Sequence, residues 1–204
     1  MTIQRLRSAL LAEAGAMPAN ATRASLRGDW DVTAEAQPSL TGGLSAAAVL
    51  IAVSDEAEPQ LLLTKRPETM LRHPGQIAFP GGRVDPGDID DIDAALREAE
   101  EEVALQRRNV EVLGLLDTYE TGTGFSIRPV VGIVPPGLIL TPHAREVAEV
   151  FHVPFAHVID PANHEVRTGT WQGRERRFYV IRSGNREIWG ATAGIIVNLS
   201  RRLV

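Results

Sequence analysis

Phe79-Pro80-Gly81-Gly82-Arg83-Val84-Asp85-Pro86-Gly87-Asp88, followed by Arg97-Glu98-Ala99-Glu100-Glu101-Glu102-Val103-Ala104-Leu105, is the stretch that decides how the chain is read. Pro80 fixes the way into a sharp turn, and Gly81 and Gly82 let the backbone bend tightly and come close to a ligand. The second run has helical spacing. At 100° per residue, Leu96, Ala99 and Val103 form an apolar stripe, while Glu98, Glu101 and Glu102 cluster about a direction roughly 140° away. Acids at i, i+3 and i+4 repel one another by roughly a few tenths of a kcal/mol per pair, so their crowding asks for a cation. An all-oxygen site without a thiolate suits Mg²⁺ or Mn²⁺, and those ions suit phosphate chemistry. Asp90, Asp91 and Asp93 favour the positive end of the helix dipole, and the acidic run from Asp85 to Asp93 lacks the spacing of a calcium loop.

Gly82, Asp88 and Arg97-Glu98-Ala99-Glu100-Glu101-Glu102 resemble the Nudix box, written G-x5-E-x7-R-E-U-x-E-E-x-G-U with U aliphatic. Three positions depart from it: Asp88 replaces the first Glu, the gap to Arg97 is one residue longer, and Ala104 replaces the late Gly. Upstream, Leu62-Leu63-Thr64-Lys65-Arg66 and Gly75-Gln76-Ile77-Ala78-Phe79-Pro80-Gly81-Gly82 are similar to the additional signature of coenzyme A pyrophosphatases, L-L-T-x-R-[SA]-x3-R-x3-G-x3-F-P-G-G. Here Pro67 replaces the small residue, and Leu71 stands where the second Arg is expected, with Arg72 one place later. The resemblance extends over about residues 45 to 204.

That resemblance implies an α/β fold, the Nudix α/β/α sandwich with a mixed β-sheet. It implies a metal-dependent pyrophosphohydrolase that cleaves the diphosphate of coenzyme A or an acyl derivative to 3′,5′-ADP and (acyl-)4′-phosphopantetheine. Glu98, Glu101 and Glu102 would hold Mg²⁺ or Mn²⁺, with Arg97 bracing the Gly-rich loop and the carboxylates. A further catalytic Glu lies near residues 146–155 in many such enzymes; Glu146 is the first candidate, with Glu149 and Glu120 behind it. Arg66 and Arg72 carry guanidinium forks suited to phosphate oxygens, and with Gln76, Gly81 and Gly82 they make the substrate-binding set. Two alternatives stand beside this reading. Pro67 and the displaced Arg72 are compatible with a Nudix hydrolase of an ADP-sugar or dinucleotide. A non-catalytic nucleotide-binding module is the other, and the retained carboxylates argue against it. Related hydrolases suggest a homodimer.

The bulk properties agree with a small-molecule enzyme. A length of 204 residues with 44% hydrophobic content suits one compact domain with decorations: a helix and irregular arm over residues 1–44 and the hydrolase domain over 45–204. A net charge of −5 and a pI near 5.6 disfavour nucleic-acid and membrane-surface binding. The chain has no cysteine, which excludes disulfides and thiolate-bound zinc and fits a reducing compartment. No apolar run approaches the ~20 residues that span a bilayer. The expectation is a soluble, cytoplasmic protein.

Outward from the box, Ile3, Leu6 and Leu10 have helical spacing and predict an amphipathic helix over residues 1–15 that packs on the body or on a partner, a better reading than a transit peptide. Runs at 46–53 and 60–65 predict a hairpin, and 110–116 a strand followed by a loop over 118–124. The strand over 125–134 contains Pro129, which places it at an edge or bulge. Segments 166–171 and 177–181 predict a second hairpin. Ile195, Ile196, Leu199 and Leu203 predict a C-terminal helix packed on a sheet. Gly122 and Gly124 do not complete a dinucleotide fingerprint, and His152 and His157 lack metal-ligand spacing and are read as structural.

Overall fold

Along residues 48–53 successive side chains go to opposite sides of one strand: Ala48, Leu50 and Ala52 into one apolar cluster, Val49, Ile51 and Val53 into another. Strict alternation with both faces covered is the pattern of a central strand in a three-layer protein. The structure is a computed structural model that describes residues 3–14, 27–32, 43–70, 73–171 and 174–203. In chain order the elements are α1 (Ile3–Ala14), β1 (Arg27–Gly28) with a 3-10 turn at Asp29–Val32, β2 (Ser45–Ser54), β3 (Gln60–Lys65), β4 (Ile77–Ala78), β5 (Gly81–Arg83) and α2 (Asp91–Val103). There follow β6 (Glu111–Leu115), β7 (Tyr119–Glu120), β8 (Phe125–Val134), β9 (Glu149–Pro154), α3 (Phe155–Val158), β10 (His164–Trp171), β11 (Arg174–Ser183), β12 (Arg186–Trp189) and α4 (Ala191–Leu203).

The larger sheet runs β1-β7-β8-β2-β3-β4, with β5 beside β2, β6 beside β8 and β9 beside β3. β1 with β7 and β2 with β8 are parallel, and the other pairs are antiparallel, so the sheet is mixed as expected. Helix α2 covers one face, its Ala94, Ala95 and Ala99 lying in the same cluster as Ala48 and Ala52. Small residues on both sides let the helix sit close to the strand. Helices α1 and α4 cover the other face through Leu6, Leu10, Ile195, Ile196, Leu199 and Leu203. A second antiparallel sheet, β10-β11-β12, contributes Ile181 and Ile188 to that cluster.

The N-terminal helix therefore packs on the body. Ile3, Leu6 and Leu10 are buried, Arg7 pairs with Glu111 of β6, and Arg5 donates to the Leu203 carbonyl at 2.7 Å. Part of the segment expected to be irregular is ordered too. β1 adds a strand to the sheet, and Asp29 accepts from the Tyr119 hydroxyl at 3.0 Å and from the Gly122 amide at 2.7 Å. The expected loop over 118–124 likewise contains the short strand β7.

Strand β8 is a correction. It is central and unbroken, flanked by β2 on one side and by β6 and β7 on the other. The Pro129 carbonyl accepts from Leu116 N, so the nitrogen that lacks a hydrogen faces the same side. That side is the interval where the partner changes from β7, opposite Ile127, to β6, opposite Val130. Proline is tolerated there because no ladder bond is demanded of it.

Helix α2 begins at Asp90, whose carboxylate accepts from Asp93 N at 2.8 Å, and ends at Ala104 in the left-handed region, φ 57°. The last carbonyls are satisfied by Ala104 N to Glu100 O and Leu105 N to Ala99 O; the first of these, from a left-handed residue to the carbonyl four places back, is the αL cap that favours glycine at this position. Relieving the left-handed alanine outweighs the added freedom of the unfolded chain. Ala104→Gly is therefore expected to stabilise the fold by about 0.5–1 kcal/mol, raising the melting temperature by about 1–4 °C in a calorimetric scan.

Candidate active site

Strand β2 positions the site through its free half-edge. β3 pairs with its C-terminal end at Val53, leaving Ala47, Ala48 and Val49 to pair with Arg83, Gly82 and Gly81 of β5. Leu50 N donates to Pro80 O at 2.8 Å and closes the turn before it. Both glycines are required by close approach. A Cβ on Gly81 (φ 153°) would lie 2.4 Å from the Ala48 carbonyl oxygen, and one on Gly82 would lie 2.4 Å from the carboxyl carbon of Glu98. Helix α2 then runs under this loop, and the acids on its face meet the loop backbone.

Those acids are not equivalent. Glu102 is 5% exposed and accepts from Gly81 N at 3.2 Å. Burial pushes its carboxyl up to about 7, against the Gly81 hydrogen bond, and the neighbouring Glu98 and Glu146 charges push the same way. Glu98, with its side chain 15% exposed, is also raised by burial, opposed by Arg97. Glu101 points outward, 59% exposed. The single carboxylate face read from the sequence is thus graded from buried to solvated, because the loop backbone covers only one side of it.

Arg97 ties the arrangement together. Its Nε and Nη2 donate to the two oxygens of Asp88 at 2.8 and 3.0 Å, Nη2 also to Arg83 O at 3.0 Å, and Nη1 to Glu98 and Glu101 at 3.0 and 3.1 Å. This is the fork geometry that a lysine cannot reproduce. The Asp88 side chain is 3% exposed, and the Arg97 hydrogen bonds, helped by that from Asp85 N, hold its carboxyl down at about 2. Asp88 in place of a longer Glu, with one more residue before Arg97, still reaches the guanidinium. Its role in anchoring the loop to the helix was visible in the sequence only as a box position.

Glu146 lies in a turn ahead of β9 rather than in the strand, its N–H bonded to His143 O. That turn is tied to the end of α2 by His143 N to Glu102 O and Thr141 N to Val103 O, and to β3 by Ala148 N to Lys65 O. The docking places the Glu146 charge in the field of both Glu98 and Glu102. Glu149 is not brought there. It lies on the same face of β9 as Phe151 and Val153, which belong to the cluster on the side of the sheet opposite α2, and it pairs with Arg186. Glu120 is buried on β7, separated from β5 by β8 and β2.

On the other wall, β3 and β4 pair through Thr64 with Ala78 and Lys65 with Ile77, and Arg66 N donates to Gln76 O at 3.0 Å. The two halves of the upstream signature are therefore adjacent. Among the described residues, Arg66 Nε is buried without a hydrogen-bond partner, and the Arg66 charge acts on Glu102. Leu71 and Arg72 lie outside the described residues. His157 is structural, its Nε2 2.6 Å from Arg182 O, and burial lowers the His152 imidazole.

Among the described residues no three acidic or histidine side chains converge closely enough to hold a metal ion as they stand. Arg97 Nη1 bonds both Glu98 and Glu101 and acts as their countercharge. The donor chemistry nevertheless fits a hard divalent cation. All donors are oxygens, and among the described residues the desolvated Glu102 has no cationic hydrogen-bond partner to offset its charge.

A loop and helix of this form, sealed by arginine and lined with carboxylates, define a phosphate-handling α/β hydrolase. The NUDIX domain family matches residues 44–175, and the chain belongs to the Nudix hydrolases, which act on phosphoric anhydrides and in general use divalent metal ions, usually Mg²⁺. Its relatives include proteins named uncharacterized Nudix hydrolase NudL: that of Enterobacter sp. is 43% identical over 157 residues, 77% of this chain and 82% of that one. The counterpart from Photorhabdus laumondii is 40% identical over 77% of this chain and 84% of its own length. Among solved structures, the Nudix hydrolase RenU from M. smegmatis superposes with a TM-score of 0.49 at 24% identity, over 58% of this chain and 76% of that one. The chain is accordingly a hydrolase of nucleoside diphosphate derivatives. No helix among the described residues is long and apolar enough to cross a membrane.

Proposed function

We propose that the protein cleaves the diphosphate of coenzyme A or an acyl-coenzyme A, giving 3′,5′-ADP and (acyl-)4′-phosphopantetheine. The observation that supports this most is Arg66 Nε, buried and without a hydrogen-bond partner among the described residues, next to the strand pair that unites both halves of the coenzyme A pyrophosphatase signature and with its charge acting on Glu102. A buried guanidinium N–H that lacks a partner is a ready donor to a diphosphate oxygen. In this reading Glu98, Glu101 and Glu102 hold Mg²⁺ or Mn²⁺, with Glu98 and Glu101 turning from Arg97 to do so. A bound divalent cation neutralises the diphosphate and acidifies a water. Glu146, whose charge acts on both Glu98 and Glu102, takes the water's proton in this reading. The water oxygen attacks one phosphorus in line, and the bond from that phosphorus to the bridging oxygen breaks. Arg66, with Arg72 and Gln76, orients the diphosphate, while Arg97 keeps the Gly81-Gly82 loop seated on the helix. The small-molecule substrate, a homodimeric state and a cytoplasmic location belong to the same proposal.

The test is incubation of the purified protein with coenzyme A and Mg²⁺ or Mn²⁺, resolving products chromatographically beside ADP-ribose and dinucleotide controls. Metal-dependent 3′,5′-ADP supports the assignment, and cleavage of the controls alone rejects it in favour of another nucleoside diphosphate derivative. Metal binding has its own readout. At a hundredfold excess over Kd, Mg²⁺ or Mn²⁺ is expected to stabilise the fold by about 2.7 kcal/mol, raising the melting temperature by about 5–10 °C. A melting curve unchanged by either ion would reject the carboxylate site.

A further inference from the structure

The loop between β7 and β8, Thr121-Gly122-Thr123-Gly124, takes no part in the diphosphate chemistry, yet it lies at the catalytic end of the sheet. Ser45 N at the start of β2 donates to Gly124 O at 2.9 Å, and the next residues of β2 carry β5. Gly82 pairs with Ala48 and Arg83 with Ala47, so these two neighbours face opposite sides of the sheet. Gly82 approaches Glu98 on the α2 side. Arg83 goes to the other side, where its guanidinium lies over the Phe125 ring, 5.7 Å from the centroid. That contact positions the cation without consuming its N–H groups. Arg83 is exposed, and among the described residues no carboxylate pairs with it. Arg176 of β11 reaches the same loop at Gly122, its guanidinium filling the space that a side chain there would need.

The loop adds donors of its own. The Thr121 and Thr123 hydroxyl oxygens are 2.9 Å apart, and Thr121 Oγ1 also accepts from Phe125 N at 3.1 Å. Two hydroxyls that share one hydrogen bond keep one O–H proton to give to a ligand. Gly124, at φ 92°, holds a bend that a side chain would resist. The carboxylate of Asp29 is close, but it already accepts from the Gly122 amide and the Tyr119 hydroxyl. We propose that Arg83, Arg176 and the 121–124 loop bind a phosphate that the nucleoside carries apart from its diphosphate, the 3′-phosphate of coenzyme A, an inference that rests on the coenzyme A reading of the site. Paired guanidinium forks beside a hydroxyl and a glycine backbone suit a phosphomonoester. The topology lets one nucleotide reach both places. Among the described residues β5 pairs with β2 alone, so its other edge is open. A nucleotide lying across that edge has its diphosphate on the carboxylate side and, one ribose away, its 3′-phosphate on the side of Arg83.

The experiment is a steady-state comparison of coenzyme A with dephospho-coenzyme A, which lacks only the 3′-phosphate. The parent is expected to favour coenzyme A at least ~10-fold in kcat/KM, as hydrogen bonds between charged groups provide. Arg83→Gln and Arg176→Gln should each lower kcat/KM for coenzyme A several-fold more than for dephospho-coenzyme A, so that the preference shrinks. Arg83→Lys, which keeps the charge, should retain most of it. Inhibition constants for 3′,5′-ADP and 5′-AMP repeat the comparison on the parent without any variant, and 3′,5′-ADP should bind at least ~10-fold more tightly. Equal use of the two substrates with equal inhibition by the two nucleotides, or variants that lower both substrates by the same factor, overturn the phosphate assignment alone. Failure to cleave either substrate, with ADP-ribose or a dinucleotide cleaved instead, overturns the coenzyme A reading and the phosphate assignment with it.

Discussion

Glu102→Gln is expected to lower kcat at least ~100-fold while leaving the protein folded. The two effects separate because of where Glu102 sits. Its backbone partner is the Gly81 amide at 3.2 Å, and a glutamine oxygen accepts that bond as well as a carboxylate does. What the substitution removes is a negative charge that burial already disfavours, raising the carboxyl to about 7. In the metal-free protein that loss costs no stability, so the melting temperature should match or exceed that of the parent. With Mg²⁺ or Mn²⁺ present the order reverses, because the variant lacks a ligand and gains less from the ion. Paired melting curves and turnover numbers, with and without metal, make the check. Parent-like turnover would remove Glu102 from the site.

Gly81→Ala and Gly82→Ala should fail in different ways. At Gly81 the new methyl meets the Ala48 carbonyl oxygen at 2.4 Å and the Val49 Cα at 2.6 Å, both backbone atoms of the central strand. Neither can move without disturbing β8 on the other side of β2, so the substitution is expected to cost about 3 kcal/mol, or roughly 6–12 °C in melting temperature. At Gly82 the obstruction is the carboxylate end of Glu98, a flexible side chain that can swing aside. Stability should change by less than about 1 kcal/mol, but a displaced Glu98 should lower kcat about 10–100-fold. A Gly82→Ala variant that melts early and turns over normally would contradict this division of labour.

Arg97→Lys probes the scaffold between these residues. One ammonium cannot reproduce five donor contacts to Asp88, Arg83, Glu98 and Glu101, so activity is expected to fall about 10–100-fold. A loop-bracing role predicts that metal affinity falls alongside kcat, which a titration followed by melting temperature would show. Unchanged metal affinity would mean that Arg97 does not organise the carboxylates.

Local chemistry made much of this molecule legible. An apolar run over 46–53 announced a strand, the spacing of Ile3, Leu6 and Leu10 announced a packed helix, and glycines followed by an acidic helix announced the loop and its carboxylates. Ala104, noted as a departure from the box, proved to be the left-handed end of α2. Pro129 misled, because a residue poor in ladder bonds was expected at an edge. Whether a central strand can accept it depends on where two other strands end, and those are contacts distant in sequence.

By itself, the sequence determined the family, through its resemblance to the Nudix box, and the helix that carries Glu98, Glu101 and Glu102 with the arginine beside them, since a helical face follows from residue type and a period of 3.6. Only the tertiary structure decided that Glu102 is buried under Gly81 while Glu101 is solvated, that the Glu146 charge acts on Glu98 and Glu102 while Glu149 pairs with Arg186, and that Arg66 Nε is buried without a partner among the described residues. Periodicity fixes the direction of a side chain about its own axis. Its solvation and the charges opposite it are set by whichever distant segment packs there, here the 81–83 strand and the 141–148 turn.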